Sequence, residues 1–409
     1  MIKWLCLCLV CWSAQGADIS GRIKLGGMLA DGGAQSLSQA LGHQRRGEVD
    51  AQLRLQWSHS IDSWSVNAAW QLDGRQGSAV ALQRDKQSAY PALAGGVDSN
   101  LWDLQQSWSE ARYHDIGYRW DRLNVSYTGN ALVMRVGRQA LTWGAGQVFH
   151  PLDLVNPFQP VQLDTTYKHG TDMVYGQWLF ASGADVQVAV VPHHRTDGMD
   201  RNGSKPTQAA LISLPGDTLQ WTILVANDRS DTLLGLATSG SLGENIWNLE
   251  WLHSGLNEGG KVNSLLFNLT RAGVIWQRNY SAFVEFYYNG FGQASDHYSL
   301  EQLDPALLTR LTRGQQFVTG RDYLAFGARW DWTPLLQLIP SVITNLNDGS
   351  SLVDGQLSWS LSENMTFKAD VRWPLGGHGS EFGGLALEYG QAPYYAQAKQ
   401  VQVQLTGYF

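Results

Sequence analysis

Gln400-Val401-Gln402-Val403-Gln404-Leu405-Thr406-Gly407-Tyr408-Phe409 closes the chain. Apolar or small residues occupy 401, 403, 405, 407 and 409; polar residues and one Tyr occupy the alternate positions. That strict period of two is the pattern of a β-strand with one apolar and one polar face. Chain ends ordinarily fray. This one carries the pattern to its last residue and stops on an aromatic, so the terminus reads as part of the fold.

The same alternation recurs upstream. Val49, Ala51, Leu53, Leu55 and Trp57 alternate with Asp50, Gln52, Arg54, Gln56 and Ser58, and a turn at 60–63 leads to Trp64, Val66, Ala68, Trp70 and Leu72. Further strands are expected at 19–30, 123–127, 132–136, 174–180, 186–190, 209–214, 219–225, 232–240, 247–251, 261–277, 282–288, 324–332, 336–338, 353–361 and 365–373. With the terminal strand these make about 18; the weaker alternation at 207–240 leaves 16 as the other count. Tight turns of two to five residues alternate with longer segments at 31–46, 74–115, 142–170, 193–206, 254–260, 291–320 and 376–393. Short connections on one side and long ones on the other are the plan of a transmembrane antiparallel β-barrel. Trp57, Trp64, Tyr127, Phe180 and Trp332 cluster beside the tight turns, where an interfacial aromatic girdle belongs. A soluble periplasmic β-sandwich also has one apolar face, but it accounts neither for the turn–loop asymmetry nor for the terminal Phe409.

Composition agrees. The 409 residues include 44 Gly and 18 Trp, and charged residues are 16% against a usual ~25%. A net charge of −7 argues against nucleic acid as a partner. Met1-Ile2-Lys3, the apolar run Trp4 to Trp12 and the small residues through Ala17 read as a secretory signal over 1–17, with the barrel over 18–409. That run is too short to span a bilayer as a helix, which takes ~20 residues. Cys6, Cys8 and Cys11 all fall within it, so a processed chain would offer no thiol.

If the apolar positions face lipid, their alternates line the lumen: Asp50, Arg54, Arg135, Glu250, Glu285, Arg329, Asp331, Asp354, Lys368, Asp370 and Arg372. Both signs are present, as in a wet interior. Cross-strand pairs such as Arg372 with Asp354 would satisfy one another. Segment 142–170 lacks alternation and carries three prolines and three glycines, yet it is rich in Trp143, Phe149, Leu152, Leu154, Val155 and Phe158. A loop that apolar should bury itself. We expect it to fold into or across the barrel as a constriction, with Trp143, Asp153, Asp164, Lys168 and His169 as the constricting groups; an ordered external lid is the alternative. In 291–320, Asp304 and Pro305 before Leu307, Leu308 and Leu311 predict a short capped helix.

Met134-Arg135-Val136-Gly137-Arg138-Gln139 with Trp143-Gly144, and Asn347-Asp348-Gly349-Ser350 with the hairpin up to Trp373-Pro374-Leu375-Gly376, resemble motifs of alginate-export-like and related proteobacterial outer-membrane barrels. The C-terminal strand ending on Phe409 likewise resembles the closing strand of such barrels. The resemblance implies a location in the outer membrane of a Gram-negative bacterium, surrounding lipid, and Phe409 as the assembly signal read by the barrel-assembly machinery. Arg138 falls on the apolar parity of its strand, so either Gly137 marks a bulge or the membrane ends before it.

No Ser/His/Asp spacing, HExxH or phosphate-binding Gly loop is present. His193-His194 with Asp197 reads as loop polarity rather than a metal site. No catalytic residue, metal or cofactor is expected. The expectation is a porin-like channel for small hydrophilic solutes, the alternatives being export of a polymer or lipid, or a non-conducting surface receptor.

Overall fold

The computed structural model describes residues 17–90, 100–160, 163–164, 166–194, 205–388 and 390–409. The expected signal with its cysteines, apart from Ala17, and Asp197 lie outside these. In chain order the strands are β1 (Ala17–Asp31), β2 (Arg45–Ile61), β3 (Trp64–Gly77), β4 (Gln105–Ala111), β5 (His114–Thr128), β6 (Leu132–Gln139) and β7 (Thr171–Leu179). Next come β8 (Asp185–Val191), β9 (Thr207–Leu214), β10 (Leu219–Asp228), β11 (Asp231–Leu242), β12 (Asn245–Gly255), β13 (Lys261–Ile275) and β14 (Arg278–Tyr288). The last are β15 (Asp322–Thr333), β16 (Leu336–Asn345), β17 (Ser351–Ser362), β18 (Met365–Leu375), β19 (Leu385–Glu388), β20 (Gln391–Tyr395) and β21 (Lys399–Tyr408). Helices α1 (Leu37–Ala40), α2 (Ser78–Ala89), α3 (Pro305–Thr312) and α4 (Glu381–Gly384) all lie in the long connections.

Among the described residues, 18 antiparallel strands close into one barrel. β21 is the closing strand: it pairs with β18 through Met365↔Gly407 to Arg372↔Gln400 and with β1 through Arg22↔Tyr408 to Asp31↔Lys399. Both sheet edges are thereby removed. Phe409 completes the seam, its N–H donating to the Gly21 carbonyl at 3.0 Å while the Gly21 N–H donates to the Phe409 carbonyl at 2.8 Å.

Polarity is inverted relative to a soluble protein. On β21, Val401 and Val403 are 49% and 41% exposed, whereas Gln404 and Thr406 are 5% and 3% exposed. Ile23, Leu25, Leu123, Val125, Phe326 and Val371 continue the exposed apolar outer wall. An apolar surface is stable in lipid and costly in water, so the wall spans a membrane. No described helix is long and apolar enough to cross one.

Two departures from the sequence pattern have local causes. Segment 74–115 is not a plain loop: β3 runs on to Gly77, α2 follows, and β4 lies along β5 where the short β6 has ended. The 376–393 loop likewise holds α4 and the small β19–β20 hairpin. Helix α3 forms as predicted, with the Asp304 side chain accepting the Ala306 N–H at 2.8 Å and Pro305 in its first turn.

Candidate functional site: the loop-crossed lumen

Between β6 and β7, the described residues 140–160, 163–164 and 166–170 are held on several sides by the barrel wall. Their apolar side chains meet an apolar strip of the inner wall. Trp143, Leu152 and Val155 pack with Met173, Tyr175, Leu211, Leu224 and Leu252, and Phe149 stacks on Tyr287 with ring centroids 4.6 Å apart. Their backbone donors meet two acidic side chains. Glu285 accepts the N–H groups of Gln147, Val148 and Phe149 at 2.6, 3.0 and 2.9 Å, and Glu250 accepts that of Ala145. A carboxylate receiving several backbone N–H groups makes charge-assisted bonds, stronger than neutral ones. The Asn268 amide donates to the Ala145 carbonyl at 3.1 Å and completes this side. Trp143 Nε1 donates to Gln187 Oε1 at 2.9 Å.

The loop's own ion pair is buried. Lys168 Nζ lies 2.6 Å from Asp153 Oδ2. Burial pushes Asp153 up to about 6 even though Lys168 opposes it, and burial pushes Lys168 down. Across the lumen the loop reaches β1, where Asp164 pairs with Arg22 at 3.1 Å and Lys24 at 3.5 Å. The Arg22 and Arg54 guanidinium groups lie over the Tyr167 ring at 4.6 and 4.3 Å. Lys368 Nζ approaches the Leu163 carbonyl at 3.4 Å. The described loop residues thus contact β1, β2, β8, β12, β14 and β18.

The inward residues named from parity therefore divide. Glu250 and Glu285 are fully buried beneath the loop, not open to the lumen. Arg54 is buried against Asp121 at 2.6 Å, and Asp370 is buried in the wall beside Asp354, which Arg372 contacts at 3.3 Å. Arg135 and Arg329 are exposed, Asp331 and Lys368 half-buried. Arg135 lies over the Tyr175 ring at 5.7 Å. Of the loop residues, Trp143, Asp153 and Lys168 are anchors, Asp164 bridges to β1, and the His169 side chain is 58% exposed near Asp121.

Parity missed two groups. Asp121, which pairs with both Arg54 and Arg122, sits at a register shift where Ala69↔Arg122 is followed by Trp70↔Trp120. Arg138 leaves the alternation at Gly137, whose φ is +119°, and is buried in a two-bond pair with Asp172 at 2.8 and 2.9 Å. Arg22 and Lys24 were legible: they occupy the polar alternates of β1, opposite the parity of Ile19, Ile23 and Leu25. Beside the loop a cavity of ≈ 640 Å³ is lined by Arg119, Asp121, Lys168, His169, Asn156 and Gln315, and a second of ≈ 230 Å³ by Gln187, Thr222, Asn248 and Glu250 among others.

A closed barrel with an apolar outer wall and a polar inner wall is a porin-like outer-membrane β-barrel. No protein-family model matches the chain, and no curated protein matches it in sequence. Its fold is that of solved Occ structures. OccAB4 of Acinetobacter baumannii superposes with a TM-score of 0.56 at 7% identity, over 96% of this chain and 98% of that one. OccK5 (OpdH) of Pseudomonas aeruginosa gives 0.56 at 9% identity over the same shares, and OpdQ of that organism 0.52 at 10%. At these identities the likeness is one of fold.

Proposed function

We propose that this chain is an outer-membrane channel for small hydrophilic solutes. The observation that carries the reading is a closed barrel in which described loop residues pack against β7 to β12 while Arg135 and Arg329 stay exposed and Asp331 and Lys368 half-buried. An aqueous passage lined by both charge signs selects by size and field, with no chemistry. The likeness to Occ/Opd barrels, which are outer-membrane porins, supports the same reading. Export of a polymer or lipid, the alternative reading, draws less support. The solved neighbours are Occ barrels. The surrounding partners in this reading are lipid and, through Phe409, the barrel-assembly machinery, after removal of residues 1–17 as a signal.

Planar-bilayer recording tests it. Stable unitary conductance steps are expected, and deletion of 142–170 should enlarge them. A folded barrel that stays silent with and without that segment would overturn the channel reading.

A further inference from the structure

Lys399, the first residue of β21, is a cation on the outer wall. It has the parity of Val401 and Val403, which are exposed there. Its Nζ lies 4.4 Å from the centroid of the Trp373 ring, and it makes no ion pair among the described residues. In register it stands opposite Asp31 of β1. Asp31 is engaged elsewhere: it lies 3.2 Å from Arg45 Nε and accepts the Gly33 N–H at 2.8 Å. Arg45 shares the outward parity of Val49, and its side chain is 87% exposed. All these residues lie where β1, β2, β18 and β21 meet the long connections 32–44 and 376–398, the side that faces the outer leaflet in a barrel of this plan.

Beside the two cations the outer wall is hollowed. A cavity of ≈ 540 Å³ is lined by Leu29, Gly47, Val371, Trp373 and Val401. Leu29, Val371, Trp373 and Val401 are all exposed, so the hollow opens on the lipid side. Gly47 leaves it unfilled; a Cβ there would come within 3.2 Å of Leu29 Cδ2. Of the four charged residues in the lining, Arg45, Arg46 and Lys399 are cations and Asp31 is the one acid. A cation at the edge of the hydrocarbon is stabilised by an anionic headgroup and costly without a polar partner. An apolar hollow gains from a chain and nothing from a free anion. A positive rim over an apolar groove, facing lipid, therefore fits an anionic lipid.

We propose that this groove holds one lipid of the outer leaflet, an acyl chain in the hollow between Leu29, Val371 and Val401 and a phosphate monoester head on Lys399 and Arg45, whose summed charge exceeds that of Asp31 between them. The inference goes beyond the channel reading and needs only the membrane-embedded barrel. Dimyristoyl phosphatidic acid, dimyristoyl glycerol and inorganic phosphate are each added to the full-length protein in detergent, and the retained adducts are measured by native mass spectrometry. Phosphatidic acid should be retained at least about fivefold more than the glycerolipid, the factor that one cation beside an anionic headgroup supplies, and inorganic phosphate not at all. Lys399→Gln and Arg45→Gln should each lower phosphatidic acid by about fivefold and leave dimyristoyl glycerol unchanged. Gly47→Val, which fills the hollow, should lower both lipids, and Lys399→Arg should keep them. A heat-modifiable gel band confirms that each variant is folded. Equal retention of the two lipids, phosphatidic acid indifferent to Lys399→Gln in folded protein, or inorganic phosphate bound as well as the lipid each overturns the proposal. Bilayer conductance reads the channel separately: a conducting protein that retains no phosphatidic acid sinks only the lipid site, and a silent one that retains it sinks only the channel.

Discussion

Glu285 on β14 accepts the backbone N–H of Gln147, 138 residues earlier in the chain, at 2.6 Å. With Val148 and Phe149 on its other oxygen, this carboxylate holds the lumen loop by main-chain atoms. Glu285→Gln replaces an acceptor-only group with one that also presents two N–H donors to those amides. The loop should loosen by about 1–3 kcal/mol. Single-channel records should show larger and noisier conductance, with protease cutting within 142–170; a variant as quiet as the parent would refute the anchoring role.

Phe149 supplies the apolar half of the same anchor, packed against Tyr287 and Tyr323. Truncation to Ala costs about 3–5 kcal/mol at a well-packed site. That cost falls on docking of the loop, since the strand ladders close without it. Phe149→Ala should raise conductance while the heat-resistant barrel band on a gel is retained. Loss of the band would mean that the loop is needed for barrel stability.

Asp153 gives the docked loop a pH dependence with a definite sign. Burial raises its carboxyl to about 6, above the ordinary ~3.9, so the docked state holds the proton more tightly than the undocked one. Its contribution to docking is fully present below the ordinary value and is lost as pH rises through about 6. Loop cleavage by a protease active across that range should therefore be slower at pH 5 than at pH 7. Asp153→Asn should remove the step. A step of opposite sign, or one that survives the substitution, would contradict this assignment.

Gly21 sits at the seam, where a Cβ would come within 2.5 Å of the Phe409 ring and 2.9 Å of the Arg54 carbonyl. Gly21→Val should hinder closure and lower the yield of heat-modifiable barrel, and trimming the ring with Phe409→Leu should restore part of it. Wild-type yield from Gly21→Val alone would show that the seam tolerates the clash.

Legibility followed how local each feature is. The alternation along β21 and β2 announced strands, and Glu250, Glu285 and Asp370 at the polar alternates of β12, β14 and β18 are buried. It could not announce which inward groups stay wet. Glu250 and Lys368 have the same status in the pattern, yet the first is buried beneath the loop and the second is half-exposed. Parity also failed where the backbone departs from regular strand, at the register shift of Asp121 and at Gly137 with its positive φ. The apolar content of 142–170 marked a segment that must bury itself, but it did not say against what.

What the sequence by itself determined is the barrel: successive side chains of a strand point to opposite faces, so a period of two sorts residues into lipid-facing and lumen-facing sets without knowledge of neighbours. What only the tertiary structure decided is the shape of the passage. Glu285 meets Gln147, and Asp164 meets Arg22, across separations of more than a hundred residues. Burial of a charge depends on which distant backbone arrives to satisfy it, and no local pattern encodes that arrival.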